Sequence, residues 1–276
     1  MRMPDPEADL PSVTLDYSPI AFLVDGDNAS PSLIAEMLAE ASKYGTVELR
    51  RVYGDWASGR FASWRTLVQE HALVPIQQFA NVAGKNATDS ALIIDAMDIL
   101  HEGRFLGFCI VSSDSDYTRL ATRMREAGKF VIGIGRAQTP AAFRNACNVF
   151  VSTENLFPKS QNPPGAPPRG PPKRREPEGE KNADEDTSYS RPSPRPPQEA
   201  LEILTKAFDS IVGPDGYCNS ANLGNALLRL DPAFDSRTFG SSKLTDLIER
   251  LPHVFDLRRP PKGTTGTVLV RYAPKK

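Results

Sequence analysis

The sequence predicts an α/β domain with a parallel sheet covered by helices on both faces, followed by a small α+β domain. Short apolar runs that alternate with amphipathic stretches predict the first domain, because strands and helices that take turns form parallel sheets. Three short helical stretches before two strand-like runs predict the second domain. A proline-rich stretch without large apolar residues separates the two.

The first domain contains six predicted strands and five predicted helices. Strands are predicted at residues 20–24, 46–55, 130–136 and 148–152, a short extended segment at 73–79, and a segment at 107–116 that begins as a strand and becomes polar. The helices cover residues 30–45, 63–72, 88–103, 117–128 and 139–147. Pro31 near the start and Gly45 just after the end mark the bounds of the first helix. Fully apolar runs such as IAFLV are typical of strands that are buried on both faces.

The second domain reads as three helices and a hairpin. The helices cover residues 199–212, 220–230 and 241–252, and the strands cover residues 253–259 and 266–273. This order is typical of a winged helix, a variant of the helix-turn-helix module.

Residues 159–198 hold 11 of the 25 prolines in the chain. Such a stretch cannot bury enough apolar surface to offset the entropy of ordering it, so it is predicted to be a disordered linker. We predict a loose tail at 1–17, a first domain at 18–158, the linker at 159–198 and a second domain at 199–274. A flexible tether of this kind is expected to join the domains without a rigid interface.

Composition excludes several classes of protein. The net charge is -1, yet residues 1–158 carry 14 basic and 19 acidic residues, and the remainder carries 19 basic and 15 acidic residues. The acidic first part argues against passive phosphate binding there, whereas the second part permits it. Three widely spaced cysteines argue against a disulfide framework or a thiolate zinc site. No signal-peptide pattern or apolar run of about 20 residues occurs, which predicts a cytoplasmic protein without a membrane partner.

Polar residues gather where the predicted strands end, which is where ligands of open α/β sheets bind. They follow the first strand, precede the third helix and follow the fourth strand: Asp25, Asp27, Asn28, Lys85, Asp89, Asp114 and Asp116. Clustered oxygen ligands suit Mg²⁺ or Mn²⁺, and such a metal can activate a water for attack on a phosphodiester. The competing interpretation is that Asn28, Ser30 and the other short polar residues cap the helices that follow them.

Two further residues at this edge have competing interpretations. Lys85 is placed either at the scissile phosphate or in a solvated loop. Asp95 falls on the face of the third helix opposite its apolar stripe, which favours a solvated position.

Three segments of the first domain resemble the NYN domain of the LabA-like (DUF88) group, a branch of the PIN-like nucleases. They are FLVDGDN, KNATDSALIIDAM and CIVSSDSDYTRLATRMREAGKFVIGIG, in the order that the family shows. Family members often have Gly-Val before the acid of the second motif, where this chain has Ala-Thr. The change leaves the acid in place.

The resemblance implies a ribonuclease that depends on Mg²⁺ or Mn²⁺. It implies that Asp25, Asp89, Asp114 and Asp116 are the catalytic and metal-binding acids. Asp27 and Asn28 become auxiliary polar groups beside the first acid. Lys85, beside the same edge, is a further auxiliary candidate, for contact with the scissile phosphate, and the solvated loop stays its competing interpretation. Asp95 matches a further acid of the second motif. The match favours a role at the site over a solvated position, but it does not place Asp95 among the four main acids.

The C-terminal part resembles the OST-HTH/LOTUS domain over about residues 199–274. The shared elements are Leu223-Gly224, Phe234-Asp235-Ser236-Arg237 with Gly240, and Lys243-Leu244. The resemblance implies RNA binding or docking to a protein partner. The basic residues available for RNA phosphates include Arg237, Lys243, Arg258 and Arg259. The competing interpretation is that they are ordinary charges of a solvated surface.

The sequence thus predicts a metal-dependent ribonuclease with a tethered RNA-binding module. The alternative is a noncatalytic RNA-binding or scaffolding protein that retains the nuclease-like fold. All three motifs keep their acids, which favours the enzyme.

Overall fold

The computed structural model describes residues 18–79, 87–157, 193–261 and 266–273. The predicted tail, Lys85 and most of the predicted linker lie outside these residues. Six strands form the sheet of the first domain: β1 (Pro19–Asp25), β2 (Thr46–Gly54), β3 (Val74–Gln77), β4 (Gly107–Val111), β5 (Phe130–Gly135) and β6 (Val149–Ser152). Five helices connect them: α1 (Ile34–Ala41), α2 (Trp64–Glu70), α3 (Ala87–Glu102), α4 (Thr118–Glu126) and α5 (Ala141–Ala146).

All neighbouring strands of this sheet run parallel, in the order β3-β2-β1-β4-β5-β6. The chain moves outward from β1 to β3, crosses back through α3, and then moves outward in the other direction from β4 to β6. The strand order therefore reverses between β1 and β4, and the loops after these two strands part to leave a crevice. The predicted parallel α/β fold is confirmed.

Each face of the sheet carries its own apolar core because alternate side chains of a strand point to opposite faces. Ile20, Phe22 and Val24 of β1 pack with the apolar sides of α1 and α2. Ala21 and Leu23 of the same strand pack with α3, α4 and α5. Burial on both faces explains why β1 reads as an uninterrupted apolar run.

The second domain contains three helices and a small antiparallel sheet, as predicted. Its elements are α6 (Leu201–Asp209), β7 (Cys218–Asn219), α7 (Ser220–Leu230), α8 (Leu244–Glu249), β8 (Phe255–Arg258) and β9 (Leu269–Tyr272). The sheet order is β7-β9-β8, so the predicted hairpin gains a third, two-residue strand. A run of two residues is too short to produce a periodic pattern, which is why the sequence did not indicate β7.

The two domains contact one another, which differs from the expected tether without a rigid interface. The backbone N–H of Phe150 in β6 donates to the carbonyl oxygen of Pro232 at 2.8 Å. The side-chain amide of Asn155 donates to the hydroxyl of Thr238 at 3.0 Å. Linker composition indicates only that a segment does not form a core of its own, and it says nothing about surfaces elsewhere on the domains.

Gly54 at the end of β2 provides a test of the packing beside the site. A Cβ atom at this position would lie 1.9 Å from Cζ of the buried ring of Phe61. We expect Gly54→Ala to lower the free energy of unfolding by about 1–3 kcal/mol, because a well-packed ring must move. Urea unfolding measures the change.

Gly59 lies in the same loop region and supplies the matched control. No atom lies within 4 Å of a Cβ built there, so Gly59→Ala is expected to change stability by no more than about 0.5 kcal/mol. Equal effects of the two substitutions would contradict the proposed contact.

Candidate metal centre

The candidate site lies at the carboxyl ends of β1 and β4, at the reversal of strand order. Asp25 is the last residue of β1, and it is fully buried. Its carboxylate accepts hydrogen bonds from the Asn28 amide at 2.7 Å, the Ser112 hydroxyl at 2.9 Å and the backbone N–H of Asp27 at 3.2 Å. Three donors thus replace the water that burial removes.

Three acids converge beside it. One carboxylate oxygen from each of Asp89, Asp114 and Asp116 lies within 4.8 Å of the other two. Asp89 belongs to the first turn of α3, whereas Asp114 and Asp116 follow β4. The fold therefore brings together two of the three predicted motifs in one group, with Asp25 of the remaining motif behind them as a hydrogen-bonded, buried carboxylate.

Asp114 also caps the short 3-10 helix Ser115–Tyr117, which is one turn long. Its carboxylate accepts a hydrogen bond from the backbone N–H of Asp116 at 2.9 Å. Asp114 therefore both caps this turn and belongs to the acid group. Ser30, by contrast, makes no side-chain cap at the turn that follows it, and the Asn28 amide is engaged with Asp25.

Tyr117 connects the acid group to the core. Its ring is fully buried, and its hydroxyl donates to Asp89 at 2.7 Å. Burial, together with the neighbouring carboxylates of Asp25 and Asp89, raises the pKa of this hydroxyl far above its ordinary value. The hydroxyl therefore remains protonated and acts as a donor at any physiological pH.

The auxiliary residues occupy different positions. The Asp27 carboxylate accepts hydrogen bonds from Thr88 at 2.8 Å and from Arg60 at 3.2 Å, so it ties the loop after β1 to the start of α3. Asp95 instead accepts hydrogen bonds from Arg51 and Tyr53 of β2 and holds α3 against the sheet. Asp95 is therefore engaged with β2 and does not belong to the acid group.

The predicted RNA-contacting residues of the second domain divide into two sets. Lys243, Arg258 and Arg259 are exposed, and Arg259 forms an ion pair with Glu249 at 2.6 Å. Arg237 is partly buried, and its guanidinium contacts Asp235 and Glu40 of the first domain. Arg237 thus lies between the domains, away from the exposed set.

Electrostatics at the edge favours a bound cation. Burial is the main cause that raises the pKa of Asp25, against the lowering effect of its Asn28 and Ser112 hydrogen bonds. Burial also raises the pKa of Asp89, to which the charges of Asp114 and Asp116 add. Because like charges at short range destabilise one another, a cation among them would relieve the repulsion.

The donor set fits a divalent ion. Carboxylate oxygens are the ligands that Mg²⁺ and Mn²⁺ prefer, and partial exposure of Asp89 and Asp114 leaves room for coordinated waters. Three convergent, partly exposed carboxylates of this kind are able to hold a metal ion.

Two residues that hydrogen-bond to the acids were not singled out by the sequence prediction. Tyr117 directly follows the acidic motif, but an aromatic residue at the start of a helix is expected to pack in the apolar core. Ser112 reads as one of several short polar residues after β4, although its hydroxyl donates to Asp25 and accepts from the Asp114 N–H at 3.1 Å. Both roles depend on contacts between segments distant in sequence, which periodicity does not show.

This combination of fold and acids defines a PIN-like α/β domain, followed by a small domain of helices and an antiparallel sheet. Family models match both parts of the chain. The NYN domain matches residues 19–154, and the OST-HTH/LOTUS domain matches residues 193–267. The chain therefore contains an NYN domain and a C-terminal OST-HTH/LOTUS domain. The predicted resemblance is confirmed, and the finer assignment to the LabA-like (DUF88) group stays a prediction.

No curated protein matches the chain significantly. Among solved structures, a Vibrio parahaemolyticus protein of unknown function is 16% identical, with a TM-score of 0.44, over 51% of this chain and 96% of its own. An uncharacterised Nitrosomonas europaea protein is 23% identical, with a TM-score of 0.25, over 36% of this chain and 94% of its own. No helix in the described residues is long and apolar enough to cross a membrane.

The raised pKa of Asp25 predicts a dependence of stability on pH. Below its ordinary pKa of 3.8, the carboxyl is protonated in the folded and unfolded states and contributes nothing. As the pH rises through the raised pKa of the folded state, ionisation costs the folded protein stability. In EDTA, we therefore expect Asp25→Asn to gain stability relative to wild type between pH 4 and pH 7.5, as measured by urea unfolding.

The matched control is Asp98→Asn, which removes an exposed carboxylate from α3. We expect its stability relative to wild type to stay constant over the same range. A constant difference for Asp25→Asn as well would contradict a buried, destabilising charge at the end of β1.

Proposed function

We propose that this protein is a metal-dependent ribonuclease whose OST-HTH/LOTUS domain binds the RNA. The observation that carries the proposal is the convergence of Asp89, Asp114 and Asp116 at the reversal of strand order in an NYN domain. A structural role alone does not require three carboxylates within 4.8 Å, since their mutual repulsion destabilises the fold.

In this proposal, Asp89, Asp114 and Asp116 hold Mg²⁺ or Mn²⁺, and Asp25 is the fourth acid of the site. A divalent ion bound there supplies Lewis acidity toward the phosphate and lowers the pKa of a coordinated water. The protein side chains provide the geometry: the Tyr117 hydroxyl fixes the orientation of Asp89, and the Ser112 hydroxyl links Asp25 to the Asp114 backbone.

The auxiliary residues fix the loops around the acids. Thr88 and Arg60 both bind Asp27, which holds the loop after β1 close to the start of α3, where Asp89 lies. The role proposed for Lys85 is contact with the phosphate; this residue lies outside the described residues. Preorganised charge of this kind contributes more than flexible groups because it needs no rearrangement during the reaction.

RNA is proposed to bind the exposed basic residues of the second domain, namely Lys243, Arg258 and Arg259. Lys243 directly precedes α8, and Arg258 ends β8, so the basic residues belong to the helix and hairpin part of the domain. Arginine and lysine side chains contact phosphates without reading sequence. Arg237 is left out of this set because its guanidinium binds two carboxylates at the domain contact.

Cleavage assays test the catalytic proposal. Purified full-length protein is incubated with single-stranded and structured RNA in Mn²⁺, Mg²⁺ or EDTA. We expect cleavage with metal and none in EDTA, and a loss of about 100-fold or more for Asp89→Asn or Asp114→Asn, because each substitution removes a charged ligand.

Asp98→Asn is the control, since it removes an acid of α3 outside the group, and its activity is expected to match wild type. Tight RNA binding without cleavage in any metal would favour the noncatalytic scaffold instead. Cleavage that survives Asp25→Asn combined with Asp114→Asn would place the active site elsewhere.

A binding assay tests the RNA-contacting residues separately. In an Asp114→Asn background, we expect the triple substitution Lys243→Ala, Arg258→Ala and Arg259→Ala to weaken binding of single-stranded RNA roughly tenfold. The slope of log affinity against log salt should fall by about 0.7 for each phosphate that the protein no longer neutralises. Fluorescence anisotropy over a salt series measures both quantities.

The control removes the same charge from other parts of the domain, through Arg195→Ala, Lys206→Ala and Arg229→Ala. We expect this variant to keep most of the affinity and the salt slope. Equal reductions in both triple variants would indicate a general effect of net charge instead of the proposed contact surface.

A further inference from the structure

The contact between the domains is built around one buried charge. Glu40 at the end of α1 is only 6% exposed at its side chain. The Arg237 guanidinium donates to both of its carboxylate oxygens, at 2.9 Å and 3.2 Å. Lys43 provides a second cation at 2.7 Å, although this lysine is 56% exposed.

Arg237 is also held in place by a carboxylate of its own domain, independently of its contact with Glu40. Within its own domain, the guanidinium contacts the Asp235 carboxylate at 2.6 Å, and the backbone N–H of Arg237 binds the same carboxylate at 2.8 Å. Burial lowers the pKa of Arg237, but the hydrogen bonds to Asp235 and Glu40 outweigh that effect and raise this pKa above its ordinary value. A guanidinium fixed in this way loses little side-chain entropy when it binds a second carboxylate bidentately.

Without the second domain, the first domain would have two open defects. Glu40 would keep only the exposed Lys43 as an ion-pair partner. The backbone N–H of Phe150 on the outer strand β6 would lose its partner, the carbonyl oxygen of Pro232. Open strand edges are sites of unwanted pairing, and proteins commonly cover them with other elements.

Apolar contacts continue the same surface. Leu228 packs against the core on the α1 side of the sheet, and Ala233 packs against the core on the other side. Beside these contacts lies a cavity of about 690 Å³ lined by both domains. Asn155 and Ser193, which border the chain between the domains, both line that cavity.

We propose that the OST-HTH/LOTUS domain is permanently docked on the β6 edge of the NYN domain and that Arg237 is the anchor of this dock. The covalent connection is then unnecessary for association, because the Arg237–Glu40 ion pair and the hydrogen bond from the Phe150 N–H to the Pro232 carbonyl oxygen hold the domains together without it. The dock does not depend on the proposed ribonuclease activity.

A series of packed aromatic rings connects the interface between the domains with the acid group. Phe150 contacts Phe143 with ring centroids 6.0 Å apart, and Phe143 contacts Tyr117 at 6.4 Å. Tyr117 in turn donates to Asp89. The second domain therefore supports β6, the strand that carries Phe150, which is the first ring of this series.

The test cuts the connection in the folded full-length protein. A protease site is inserted between residues 176 and 186, and the cleaved protein is analysed by size-exclusion chromatography and by dilution to obtain a dissociation constant. We expect the two fragments to elute together. Arg237→Ala and Glu40→Gln should each raise the dissociation constant about tenfold or more, since each breaks a largely buried ion pair.

The double variant should dissociate no more readily than Arg237→Ala alone, because both changes remove the same interaction. Arg271→Ala is the control: it breaks the Arg271–Asp256 pair inside the second domain and should leave association unchanged. Circular dichroism checks that each variant is folded.

Separation of the wild-type fragments at micromolar concentration would overturn the dock. Unchanged association in Glu40→Gln, or fully additive effects in the double variant, would overturn the anchor role of Arg237. Because Glu40 and Arg237 lie in different domains, Glu40→Gln keeps the test decisive if Arg237→Ala does not fold.

Discussion

A buried carboxylate at the end of the central strand is the constraint on which the candidate site depends. Asp25 lies next to five fully apolar residues, and ionisation there is stable only because Asn28, Ser112 and the Asp27 backbone donate to it. These donors come from the two segments that flank the reversal of strand order. Satisfying one charge therefore fixes the two loops that border the crevice.

The remaining acids follow from that arrangement. The Ser112 hydroxyl that donates to Asp25 also accepts from the Asp114 backbone, so the turn that carries Asp114 and Asp116 has its position set by Asp25. Tyr117 ends the same turn and orients Asp89 from the opposite side. A group of like charges is thus held together by neutral donors and buried packing, and it is ready to bind a cation.

The same physical rule governs the contact between the domains. Glu40 is nearly as buried as Asp25, but it is paired with the guanidinium of Arg237 instead of neutral donors. A buried charge whose partner is removed is strongly destabilising, whereas a pair with good geometry is tolerated. The first domain therefore has one buried carboxylate that neutral donors satisfy and another that a cation from the second domain satisfies.

The classes of element and the chemistry that they carry follow from local patterns in the amino-acid sequence. Apolar runs and helical stripes predicted the parallel sheet, and the acids at the strand ends predicted the edge where Asp89, Asp114 and Asp116 converge, because both patterns are local. The sequence did not indicate the roles of Tyr117 and Ser112, the pairing of Asp95 with β2, or the Arg237–Glu40 contact. Each of these joins residues far apart in the chain. Such pairings depend on how the elements pack in three dimensions, and only the tertiary structure decided them.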